Sequence, residues 1–158
     1  MLNDAHRDQT GGMPESRSQQ GWTSQLESAV AELSKTPTMF TVNRTLALAW
    51  RTTAAVMHPA SPATEFGWMR LAEALLSARH DLHRLDELPD LIDSGAGPSV
   101  DGTLRDTARL RATVAYVVRA AAGALRALPD MDDPGRADEA LTMSSVAATL
   151  DSAVEDWP

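Results

Sequence analysis

The chain has no cysteine among its 158 residues. Disulfide staples, thiolate zinc sites and a cysteine nucleophile are therefore excluded. Aromatic residues make up only 4%, and β-branched residues are too sparse for a sheet, so an all-α fold is expected. Lysine is nearly missing, with thirteen arginines to a single lysine. With the abundant alanine, that bias resembles translation from a GC-rich genome such as an actinobacterium's. No apolar run approaches the roughly 18 residues that a membrane span needs. The opening "MLNDAHRDQTGGMPESRSQQG" lacks the apolar centre of a signal peptide, and a cytoplasmic protein is expected by default.

The residues present suggest helices. Hydrophobic residues reach 43%, and alanine-rich side chains allow close helix packing. Net charge is −8, which opposes binding to a phosphate backbone. The charge is uneven: residues 129–158 hold eight acids and one arginine, whereas 101–128 hold five arginines and two aspartates. A basic helix followed by an acidic one implies that the two pair.

Residues 1–21 are polar and read as a flexible tail, leaving 22–158 as a single helical-bundle domain. Five helical segments follow. Ser24 and Glu27 have capping-box spacing for a short first helix ending at Lys35, with Trp22, Leu26, Ala29, Val30 and Leu33 as its stripe. It is expected to pack on one side or end, or to serve dimerisation. The second helix starts near Thr36-Pro37 and runs to about Met57, with Met39, Val42, Leu46, Ala49, Trp50, Thr53 and Met57 recurring at helical spacing. Ser61 and Pro62 suit the cap and first position of a third helix reaching Leu88, with Trp68, Leu71, Leu75, Leu82 and Leu85 inward. "PDLIDSGAGPSVDG" forms a loop whose Leu91 and Ile92 tuck onto the bundle. The fourth helix covers Asp101 to Leu128, with Leu104, Leu110, Val114, Val117, Val118, Ala121 and Leu125 inward. Asp133 and Pro134 open a fifth, with Ala140, Met143, Ala147, Leu150 and Val154 inward and Trp157 near its end. Together these give an antiparallel up-down four-helix bundle plus a short N-terminal helix.

The densest polar stretch is "RHDLHRLDE", Arg79 to Glu87. His80, His83 and Glu87 share one helical stripe, but bundle metal sites draw paired ligands from facing helices. The remaining histidines, His6 and His58, lie in the tail and at a turn, so no metal is expected, and no cofactor. Arg79 is the unusual residue. It projects about 40° from the centre of the apolar wedge, where charges need partners; Asp86 shares that wedge. Reflecting positions across each turn brings Arg79 level with Asn43 and Arg111, and Arg111 level with Asp151.

That layer has two readings. It is a closed network in which Asp151 accepts from the guanidiniums and Asn43 completes the hydrogen bonding. Alternatively, two arginines against one aspartate leave surplus positive charge for a small anionic ligand, with His83 one turn away. A further stripe of Arg105, Arg109, Tyr116, Arg119 and Arg126 marks the outer side of the fourth helix. Nucleic acid could lie on it, but Ala112 and Gly123 beside it suit helix contact, and acids of the fifth helix or of a partner are the better counterparts. Ser34, Ser77, Ser144 and Ser145 lack a positioned histidine or glycine elbow, and there is no phosphate-binding glycine loop. The leading expectation is a non-catalytic helical protein acting through protein contacts, as a homodimer or a regulatory or adaptor partner. The alternatives are an anion binder built on Arg79 and Arg111, and an acidic mimic of nucleic acid.

Overall fold

The computed structural model describes residues 13–57, 62–85, 104–129, 134–155 and 157, with side chains at 20–56, 66–85, 104–129, 135–155 and 157. Five α-helices run Met13–Lys35 (α1), Met39–Met57 (α2), Pro62–Leu85 (α3), Ala108–Ala127 (α4) and Ala137–Glu155 (α5), the last preceded by a 3-10 turn over Pro134–Arg136. There are no strands among the described residues. No helix among them is long and apolar enough to cross a membrane. The Ser61 and Asp133 caps, the loop carrying Leu91 and Ile92, and His6, His58, Asp86 and Glu87 lie outside the described residues.

Local chemistry sets the helix starts. Thr38 and Thr41 cap α2 reciprocally: the Thr41 backbone N–H donates to Thr38 Oγ1 at 3.1 Å, and the Thr38 N–H donates to Thr41 Oγ1 at 2.9 Å. Pro37 therefore sits just outside the helix rather than in its first turn. Pro62 occupies the opening position of α3, where its missing N–H costs nothing. α4 starts at Ala108, not Asp101, because Thr107 is the N-cap and its side chain accepts from the Leu110 N–H at 3.1 Å. Leu104 is buried all the same, from the extended segment ahead of the cap.

α1 departs furthest from expectation. It begins at Met13, inside the segment read as a tail, and spans 23 residues rather than a short stretch. Trp22, Leu26, Val30 and Leu33 are buried in the common core. α1 packs on both α2 and α4. The other helices touch in the cyclic order α2, α3, α5, α4 and back to α2. Among the described residues α3 and α4 are not neighbours, although they are consecutive in the chain.

The core follows the helical periodicity closely. All the inward positions expected on α4 and α5 up to Val154 are buried, as are Trp68, Leu71, Leu75 and Leu82 on α3. Ala29, Met39, Trp50, Leu85 and Trp157 are only partly buried. α2 also buries Thr45, Thr52 and Thr53, whose hydroxyls donate to the carbonyls of Thr41, Leu48 and Ala49 at 2.7, 2.9 and 2.8 Å. Hydroxyls bonded back to the preceding turn are buried without an orphaned donor.

Candidate functional site

Two of the four residues expected at one level do meet. Asn43 is fully buried on α2, and Arg79 on α3 is only 4% exposed. Arg79 Nε donates to Asn43 Oδ1 at 3.4 Å, long for such a bond. Both side chains have further interactions within the chain. His83, one turn on, is half-buried, and His80 is exposed.

The other two lie elsewhere, for a geometric reason. Arg111 reaches back to Asp106, ahead of its own helix, with Nε 3.3 Å from Oδ1 and both side chains largely covered. Those two atoms are close in charge but not aligned for a hydrogen bond. Asp151 binds Arg126, with Nη2 to Oδ2 at 2.6 Å. Arg111 stands fifteen positions before Arg126 on α4, roughly 22 Å along the helix axis. The expected layer assumed that α3 and α4 lie side by side and that the α4–α5 turn centres near residue 131. Instead, among the described residues α3 and α4 are not in contact, and Asp151 pairs with Arg126 rather than with Arg111. Among the described residues Asn43 therefore meets Arg79, while Arg111 pairs with Asp106 and Asp151 with Arg126. Among the described residues no group of three His, Asp or Glu side chains is placed to hold a metal.

The arginine stripe of α4 is partly consumed inside the bundle. Besides Arg126 with Asp151, Arg119 Nη2 donates to the Val154 carbonyl oxygen at 3.2 Å. This is the basic-to-acidic helix pairing that the charge distribution implied. A cation near a helix C-terminus also meets favourable carbonyl dipoles. Arg105, Arg109 and Tyr116 remain exposed. A Cβ on Gly123 would meet open space, so no described helix packs closely there.

Trp68 and Trp157 pack edge to face, with ring centroids 4.6 Å apart and planes at 88°. They join α3 to the end of the chain as core contacts. Trp50 is half-buried against the same core, and the three contribute packing rather than a cleft.

The feature with no intrachain explanation is on the outside of α3. Phe66 is 73% exposed, Met69 45% and Leu76 46%. Phe66 lies opposite the Leu75-centred wedge, and Met69 and Leu76 lie about 100–120° from its centre; among the described elements α3 contacts α2 and α5. Beside them, an open groove of about 580 Å³ runs between α3 and α5. Arg70, Glu73 and Ser77 line one wall, and Ser145, Ala148 and Ser152 the other. Leu141, 69% exposed, continues the outer face of α5. The signal was available in the sequence as Phe66, Met69 and Leu76 spaced i, i+3, i+10. No protein-family model, curated protein or solved structure matches the chain.

Proposed function

We propose that this chain is a non-catalytic, antiparallel helical bundle that acts through protein–protein contacts, and that its contact surface is the outer face of α3 with the adjoining groove of α5. The observation that carries the reading is the exposed trio Phe66, Met69 and Leu76 on a helix whose inner side is already fully used. Single exposed apolar residues are ordinary, but several grouped on one face mark an interaction site. The groove beside them is lined mainly by small side chains, which allow another element to approach closely. The α4 stripe is the weaker surface, since Arg119 and Arg126 are engaged with α5.

The test is a Phe66→Ser/Leu76→Ser variant compared with the native chain by light scattering and by pull-down from a native lysate, with helicity checked by circular dichroism. The native chain associates, with itself or with a captured protein, and the equally helical variant loses that association. A native chain that stays strictly monomeric and captures nothing overturns the reading.

A further inference from the structure

We infer that Trp157 is a reversible latch, whose ring docks on Trp68 and also leaves the core by itself while the helices stay folded. The inference stands apart from the contact surface on α3 and rests on two indole N–H groups.

The indole ring carries one polar atom, a donor with no acceptor capacity. When buried it ordinarily finds a partner. Trp68 is wholly buried and Trp157 partly so. The Nε1 atoms of both are nevertheless buried without a hydrogen bond. The rings are in contact with each other, 4.6 Å between centroids and at 88°. In an edge-to-face pair only one edge points at the other ring, so a π face compensates at most one of the two N–H groups. Docking Trp157 therefore takes polar groups out of water and leaves at least one with nothing in return.

The backbone adds little hold. α5 ends at Glu155, and the Trp157 backbone N–H reaches the Val154 carbonyl oxygen only at 3.4 Å, beyond the usual limit of about 3.2 Å. Trp68 is different, because it sits within α3 beside the buried Leu71 and Leu75 and leaves the core only if that helix does. Trp157 is the movable member of the pair.

The opposing terms are of similar size. Burial of indole surface and the edge-to-face contact favour docking. The orphaned donors and the ordering of the segment past α5 oppose it. Both states are therefore populated, and opening is local rather than global. Opening returns the Trp157 N–H to water and uncovers the core beside Trp68. Anything that covers that place, or holds the free ring, biases the latch toward the open state.

Nuclear magnetic resonance on the full chain, labelled at tryptophan, tests this. The Trp157 indole N–H exchanges with water at a rate that low urea does not change, whereas exchange of the Leu75 amide follows global unfolding. Relaxation dispersion at the Trp68 ring resolves the undocked state. Trp157 is then replaced by benzothienylalanine, an isostere with sulfur in place of the N–H, and native helicity is checked by circular dichroism. The undocked population falls on the order of tenfold, the factor by which one unpaired buried donor shifts an equilibrium. Trp157 exchange that follows global unfolding overturns the inference. So does an undocked population that the isostere leaves unchanged. A population that the isostere raises overturns it as well, since the N–H would then hold a favourable bond in the docked state.

Discussion

Replacing Trp22 by alanine separates two accounts of the N-terminal segment by a wide margin. Trp22 lies at the border of a stretch whose composition reads as a solvated tail, yet it is 2% exposed and belongs to the same core as Leu125 and Leu150. Truncating a buried tryptophan removes its transfer free energy and leaves a cavity, costing about 3–5 kcal/mol. For a chain of 158 residues, each kcal/mol lowers the melting temperature by about 2–4 °C, so W22A should melt roughly 10 °C or more below the native chain. Phe66→Ala provides the control. The ring is 73% exposed, and surface changes generally fall within about 0.5 kcal/mol, so F66A should leave the melting temperature nearly unchanged at concentrations where the chain is monomeric. Urea denaturation monitored by circular dichroism gives the free energies, and thermal melts give the temperatures. A W22A penalty below about 1 kcal/mol, comparable to that of F66A, would show that α1 does not share the core and would refute the argument.

Two further outcomes are expected. A double-mutant cycle on Asn43→Ala and Arg79→Met should show coupling of about 0.5–2 kcal/mol in urea unfolding, because N43A alone takes an acceptor from a buried guanidinium; strict additivity would mean that the two side chains do not support each other. T107A should cost about 0.5–2 kcal/mol through loss of the α4 cap, whereas replacing the exposed Arg105 ahead of it by alanine should stay within about 0.5 kcal/mol; equal losses in thermal denaturation would place the helix start elsewhere.

The core was largely legible from periodicity because burial depends on the face a residue occupies, and a helix repeats that face regularly. Leu110 through Leu125 and Met143 through Val154 are buried as their spacing demands. The start of α1 was not legible. Gly, Ser and Gln signal solvation, and a helix with one buried face can still carry them on the other. The start of α4 is hidden because Leu104 falls in register with the apolar positions of the helix, which extends the pattern back toward Asp101. A leucine in an extended segment can cover a core equally well, and the informative residue was Thr107. The polar layer depended on sequence neighbours being neighbours in space. That assumption holds for α2 and α3, which are close in sequence, and Asn43 lies beside Arg79. It fails for α3 and α4, joined by a long connection that does not force adjacency, so Arg111 found Asp106 instead. The outer side of α3 had a signal, three apolar residues outside the wedge, but only the contact order of the helices shows that no described helix covers it.

The most direct measurement of contact through α3 is association of the native chain against the Phe66→Ser/Leu76→Ser variant at equal helicity, read by light scattering and by pull-down from a native lysate. The native chain should associate, with itself or with a captured protein, and the variant should not. Equal association of the two, or none by the native chain, would contradict the account.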